Sequence, residues 1–476
     1  MYTVVLGLVV LVPMLGSLLA FIMPDDRRLC FSSTLAAVVA SFILLLVLGL
    51  SHSHPTLFWP SRSPPLFAFY VDWIGFILGV VVLSIGILVL IYSYHYLSPL
   101  NREHRVVHGY SRYYGLMCLF IASMMGVALS YSWLTLFFFY ELTGICSCLL
   151  IAYYLDEEGR MGGIEALVLT HIGGLALLAL LVLLYHEAHS LLLPAVSKLR
   201  GAALVVAGLL ALVACIAKSA QLPLHFWLPD AMVAPTTVSA YLHAAAMVKV
   251  GVFTMIRFAE YAPPVGLHVV GVAGVVVSLA TAFYAAYHYY SMRDLKGLLA
   301  YSTIAQLSYI LAAVSFSLLG SRYGLYAAIY HVWNHSFTKA ALFLCAGAVA
   351  YAYGSRSLSL LEGLSRVKGF SLVAACWIAA SLSLIGVPPL GCFYSKLAII
   401  VAGLSGGILC VTAAILLLVE SVLCFIVFAR TCMMVLSKHH PSEPLSKPST
   451  PMSLVLAVLA LMAIVSPYLM NYMVGV

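Results

Sequence analysis

Residues 217–232 read AKSAQLPLHFWLPDAM and set Lys218, Pro223 and Pro229 directly behind an uncharged apolar run, residues 201–217. An ionisable group at mid-bilayer costs at least about 2.5–3.5 kcal/mol on insertion scales. Proline removes a backbone donor and breaks a helix. Irregular backbone at membrane depth is tolerated only where protein or a water-filled cavity satisfies it. A lysine beside such a break is therefore a transporter-like feature. Residues 386–396, GVPPLGCFYSK, repeat it, with Pro388 and Pro389 ahead of Lys396. Simple proline kinks made for packing are the alternative reading of both stretches.

The composition supports the membrane setting. Of 476 residues, 64% are apolar and 8% charged, against about 45–50% and about 25% in soluble domains. The apolar share fills at most about fifteen spans of about 20 residues. Apolar runs bounded by charge, proline or histidine predict fourteen: 3–22, 30–51, 72–97, 112–130, 132–155, 163–186, 201–222, 235–260, 265–291, 295–319, 323–352, 369–401, 406–434 and 452–473. The expected class is an all-α polytopic membrane protein. Its first run lacks the basic flank and cleavage site of a secretory leader and is capped by PDDRR (24–28), so it is expected to remain a span.

Loops on one side of the predicted membrane carry 14 Lys and Arg. The other side carries five: Arg62, Lys198, Arg200, Arg257 and Arg322. The positive-inside rule then places both termini outside the cytoplasm, in a cell-membrane protein. The net charge of +7 is not gathered into a basic block, which argues against a nucleic-acid partner. The 11 cysteines lie mostly within apolar runs, without a C-x-x-C pair, and read as small core residues. No lysine follows a glycine, which excludes a Walker A loop. The HEAH run at 186–189 lacks the second histidine spacing of a zinc helix, since position 190 is Ser190. No cofactor or metal is expected, and no catalysis by this chain alone.

The remaining four basic residues, Lys218, Lys249, Lys339 and Lys396, fall inside predicted spans. Harmless lysines sit near helix ends and snorkel to the interface. Lys249, with 14 span residues before it and 11 after, and Lys339, with 16 and 13, are too deep for that. Desolvation disfavours a charged ammonium, so a neighbouring charge that approaches or departs can load and unload its proton. Glu141, in FFFYELTG of the fifth span, is the expected counter-charge, paired with Lys218. In the eleventh span, YHVWNHSFTKAALFLCAG sets His331, His335 and Lys339 on one helix face over about 12 Å. Histidine titrates closest to physiological pH, so this reads as a proton wire. A packed polar seam is the alternative. His243 is a further candidate on another face of the eighth span. Glu420, mid-span, is a secondary one, facing either the same hydrophilic axis or another subunit. Glu165 reads as facing an interface. Asp72, Asp230 and Asp294 read as caps or loop acceptors.

AKSAQLPLHFWLPDAMVAPTTVSAYLHAAAMVKVG, RDLKGLLAYSTIAQLSY, HVWNHSFTKAALF and GVPPLGCFYSK occur in this order. Over roughly residues 70–430 the chain resembles the antiporter-like subunits of respiratory complex I. It equally resembles their relatives in Mrp-type cation/proton antiporters and membrane-bound energy-converting hydrogenases. The resemblance implies fourteen helices with two inverted five-helix repeats, helices 4–8 and 9–13, and broken helices 7 and 12. Implied divisions are 1–111 (helices 1–3), 112–260 and 261–434 (the repeats) and 435–476 (a loop and helix 14). It also implies roles for the buried charges. Glu141 and Lys218 belong to the first half-channel, Lys249 and His243 connect it onward, His331, His335 and Lys339 form the central wire, and Lys396 ends the second half-channel. Implied partners are other membrane subunits of a multisubunit complex, with protons, possibly Na⁺, as cargo.

SAYLHAAAMVK leans towards the hydrogenase-linked members and the large subunit of Mrp. Two departures stand out. The sequence reads to shortly after helix 14, so the lateral helix or C-terminal extension of the longest relatives is not expected in it. Glu165 lies near a helix-6 position where relatives often carry a basic residue. The favoured expectation is a proton-translocating subunit of a redox-driven complex. The alternatives are a scaffold whose charges only hold neighbouring chains together, and part of an Mrp-type Na⁺/H⁺ antiporter.

Overall fold

The computed structural model describes residues 2–51, 55–59, 65–438 and 443–474; Arg62, counted above, lies outside them. The chain opens with α1 (Tyr2–Ile22), α2 (Arg27–Leu50), α3 (Trp73–Tyr96), α4 (Tyr110–Ala128), α5 (Trp133–Ile151) and α6 (Glu157–Ala188). It continues through α7 (Gly201–Lys218), α8 (Trp227–Asp230), α9 (Thr236–Ala244), α10 (Met247–Tyr261), α11 (His268–Ser291) and α12 (Leu295–Leu318). The last elements are α13 (Gly324–Tyr353), α14 (Ser371–Ile385), α15 (Gly391–Leu404), α16 (Ile408–Leu436) and α17 (Thr450–Val474). Among the described residues, 12 helical segments are long and apolar enough to cross a membrane. The other two expected spans are α4, buried along most of its length, and the broken pair α14–α15. The protein is a multi-pass integral membrane protein of fourteen spans, ten of them in two inverted five-helix repeats.

Side-chain caps start many of these helices. Asp26, Asp72, Ser132, Asp156 and Asp294 each accept from a backbone N–H of the first turn, which satisfies donors a helix leaves open. Asp72 and Asp294 thus act as the expected caps, and Asp230, at the end of α8, makes no side-chain cap bond to the next turn but lies within hydrogen-bond reach of Glu165. The loop between α2 and α3 also holds a short antiparallel hairpin, β1 (Thr56–Trp59) paired with β2 (Phe67–Tyr70). Nothing in the apolar runs anticipates it.

The centre of the bundle is α13, packed by α3, α9, α12, α14, α15 and α17. Its central stretch is 94% buried, whereas that of α2 is 28% buried. Outer helices accordingly present aliphatic side chains outward, such as Ile43 and Val47 of α2 and Val168 and Leu175 of α6. All eleven cysteines are free, and all but Cys148 are buried, as core residues should be.

Both proline-marked spans break, and by the same backbone device. After α7, Ala220 takes positive φ and the Gln221 N–H bonds back to the Ile216 carbonyl. After α14, Gly386 takes positive φ and the Val387 N–H bonds back to the Leu382 carbonyl. These are helix-ending bonds of the Schellman kind, and the three pairs of positions share one sequence offset between the repeats. The eighth span is also broken, against the expectation of one run over 235–260. Ala245 and Ala246 both direct their N–H to the Tyr241 carbonyl, and α10 restarts at Met247. Lys249 stands in the first turn after this break.

Two residues counted as loop cations are buried. Arg257, 1% exposed, lies in α10, paired with Asp72 and Glu260 and donating to the Ala128 carbonyl. Lys296, 2% exposed, reaches from the first turn of α12 to the carbonyls of Met232 (3.1 Å) and Ala234 (2.6 Å). Charge tallies treat a cation at a helix end as solvated; here desolvated carboxylates and carbonyls hold it instead.

Candidate functional site: a buried file of lysine and histidine

The expected pairing of Glu141 with Lys218 is not a direct contact. Among the described residues no ion pair joins them. Glu141 Oε2 lies 3.0 Å from His171 Nδ1 of α6, and its Oε1 is buried without a hydrogen-bond partner. Lys218, the last residue of α7, is buried with Nζ over the Tyr140 ring, 4.6 Å from its centroid. Two glycines make the room. A Cβ on Gly174 would overlap Glu141 Oε1, and one on Gly144 would stand 3.0 Å from Lys218 Nζ. The basic partner on the sixth span is thus His171, six residues beyond Glu165.

The break at Ala245–Ala246 aims Lys249 across the bundle, where its Nζ lies 2.6 Å from His335 Nδ1. The His335 and His331 rings follow at 5.7 Å between centroids. His331 spans two helices beyond its own, with Nδ1 2.9 Å from Ser395 Oγ and Nε2 3.2 Å from Gln306 Oε1. Lys396, next to Ser395, donates to Ser421 Oγ at 3.1 Å and lies over the Tyr309 ring. Tyr309 and Tyr289 donate their hydroxyls to the two oxygens of Glu420. Glu420 is wholly buried, so it faces the internal axis and not another subunit. Lys249, His335, His331, Lys396 and Glu420 form one file, with Tyr309 between the last two.

Lys339 and His243 stand beside this file. Lys339 donates to Ser302 Oγ (2.5 Å) and the Leu299 carbonyl (3.1 Å), and His243 Nδ1 lies 3.0 Å from Thr303 Oγ1. Both therefore address one turn of α12. Buried atoms without a hydrogen-bond partner among the described residues cluster along the same region: His335 Nε2, His243 Nε2, Gln306 Nε2 and Gln221 Oε1. Buried polar groups are normally satisfied, so these positions mark where water would be held.

Sequence reading did not single out His171, Gln306, Ser395, Tyr309 or Tyr289. Only His171 offered a signal of its own, an ionisable residue in the middle of an apolar run.

A fourteen-span bundle with discontinuous helices and a buried lysine–histidine file defines an antiporter-like membrane subunit. The chain belongs to the family described as NADH:quinone oxidoreductase/Mrp antiporter, transmembrane, whose model matches residues 130–424. It is 36% identical over 410 residues to a probable K⁺/H⁺ antiporter protein of Rhizobium meliloti (strain 1021), covering 82% of this chain and 39% of that protein. To a Na⁺/H⁺ antiporter protein of Staphylococcus aureus (strain JH9) it is 35% identical over 359 residues, covering 72% of this chain and 43% of that one. Both relatives are subunits of their antiporters, and this chain spans less than half the length of either. Among solved structures, a chain of the Mrp complex from Dietzia sp. DQ12-45-1b superposes with a TM-score of 0.85 at 29% identity, over 99% of this chain and 51% of that one. A chain of the archaeal membrane-bound sulfane sulfur reductase superposes with a TM-score of 0.87 at 22% identity, over 98% and 95%, and shares the fold.

Proposed function

We propose that this chain is the proton-translocating part of an Mrp-type cation/proton antiporter, working beside other membrane subunits. Support for the Mrp reading over the redox-driven one comes from the named relatives, both antiporter subunits. The observation that carries proton movement is the file itself. Lys249 Nζ and His335 Nδ1 are close enough to share one proton between two nitrogens, and each further station is a group that can accept and release one. Glu141, Lys218 and His171 supply the first half of the route, Lys396 and Glu420 its far end, with Lys339 as a further relay and His243 as a support beside the centre. No cluster of hard oxygen ligands lies among these residues, so protons rather than Na⁺ are the cargo of this axis. Both termini lie outside the cytoplasm of a cell membrane, and the repeats run over 112–260 and 261–434.

The test is cation-driven collapse of a preset pH gradient in inverted vesicles holding the whole complex. The reading requires collapse on adding Na⁺ or K⁺ without an electron donor, and its loss in Lys249→Met. Gradient changes that follow only electron-donor oxidation would favour the redox-driven alternative instead.

A further inference from the structure

Two cavities lie end to end between the C-terminal ends of α11 and α16, on the side where the basic loops gather. The outer one, about 650 Å³, is lined by Arg293 and Arg430 together with Ser357 and Ser359. The inner one, about 340 Å³, is walled by Phe283, Tyr287, Leu423 and Ile426. Tyr290 and Ser291 line both, which makes them one groove. Its apolar wall opens outward, with Tyr287, Tyr290, Leu423 and Ile426 exposed on the bundle surface.

The outer end sets two guanidiniums against one carboxylate, Glu362, and is net positive. Among the described residues neither guanidinium has an ion-pair partner, and Glu362, which shares the cavity, pairs with neither. Two arginines facing one cavity repel unless an anion lies between them, and their planar forks match a phosphate. The apolar part runs from Ser291 back to Phe283, about 12 Å of helix. Polar lining gives way to apolar lining along the groove where the two helices leave the basic loops. That division matches a molecule with an anionic head and a hydrocarbon tail. A helix from a neighbouring subunit would have to bring acidic groups to the same end.

We propose that the α11–α16 groove binds an anionic phospholipid, its phosphate between Arg293 and Arg430 and one acyl chain along the inner cavity. Basic pockets between membrane helices on the cytoplasmic side suit such headgroups. The site adjoins the acidic end of the file, because Tyr289, which donates to Glu420, immediately precedes Tyr290. It does not depend on what the file conducts.

The test uses the assembled complex in liposomes carrying photoactivatable phosphatidylglycerol or photoactivatable phosphatidylcholine, with labelled peptides mapped by mass spectrometry. Phosphatidylglycerol is expected to label residues 283–293 and 423–434 about fivefold or more above phosphatidylcholine. The double variant Arg293→Gln/Arg430→Gln should erase that preference while labelling of other helices and assembly on native gels stay unchanged. Equal labelling by the two lipids, or a preference that survives the double substitution, overturns the proposal. So does cross-linking of this stretch to a partner subunit in place of lipid. Ion transport is not the readout, so failure here and failure of the transport reading are separate results.

Discussion

Lys249 and His335 come from different inverted repeats and meet with Nζ 2.6 Å from Nδ1. Each repeat supplies one nitrogen of the junction, so neither half completes the file by itself. Lys249→Met and His335→Phe should each reduce cation-driven proton movement at least about tenfold in inverted vesicles, with the complex intact on native gels. The double variant should be little worse than either single one, because the two act as a unit. Fully additive losses would show that the two nitrogens work separately.

At the first half of the route, Lys218→Met and Glu141→Gln should each abolish transport while the complex still assembles. Gly174→Ala tests the geometry without removing a polar group. Its Cβ would overlap Glu141 Oε1, so the carboxylate has to leave its place beside His171. Transport should fall severalfold, and wild-type pumping in an assembled Lys218→Met complex would remove this half from the route.

Lys339 separates a relay from a fixed charge. Lys339→Arg keeps the charge, but arginine does not release its proton at accessible pH, so the variant should assemble and transport poorly. Lys339→His should retain more activity, with its pH profile displaced towards acid, because imidazole ordinarily titrates about four units below an ammonium. A purely electrostatic role reverses that order. Proton flux after a pH jump in vesicles, measured for both variants, decides between them.

Arg257 predicts a loss of stability rather than of conduction. Removing one partner from a buried ion pair costs about 3–5 kcal/mol, because the other charge stays behind unpaired. Arg257→Met leaves Asp72 and Glu260 facing each other at the junction of α3 and α10. The complex should melt at lower temperature in detergent, whereas Asp72→Asn, which keeps the cap and one acceptor, should cost less.

The fourteen spans were legible because bilayer thickness fixes how long an apolar run must be. The breaks after Lys218 and before Lys396 were legible because proline announces them. The break at Ala245–Ala246 was not. It lies in a run of alanines, the best helix formers, and arises when two N–H groups converge on the Tyr241 carbonyl, a choice made by packing. Partners across helices were equally hidden. Periodicity puts His331, His335 and Lys339 on one face, but only assembly of the bundle turns His335 to Lys249 and Lys339 to Ser302. The same limit explains Glu141, whose neighbour His171 sits thirty residues on. Lys296 looked like a loop charge because its partners are carbonyls, which carry no signal in the sequence.

The paired turns after α7 and α14 carry a consequence for the bilayer itself. Seventh and twelfth spans enter from opposite sides, and each runs for 18 and 15 helical residues respectively before its turn, roughly 27 and 22 Å at helical rise. For helices that start at the edge of a hydrocarbon core about 30 Å thick, each interruption would fall in the monolayer farther from that start, and those are different monolayers. A change in lipid packing confined to one monolayer would load one turn and spare the other. The two halves of the chain are thus exposed to separate mechanical environments, and an asymmetric membrane could act on one without touching its counterpart.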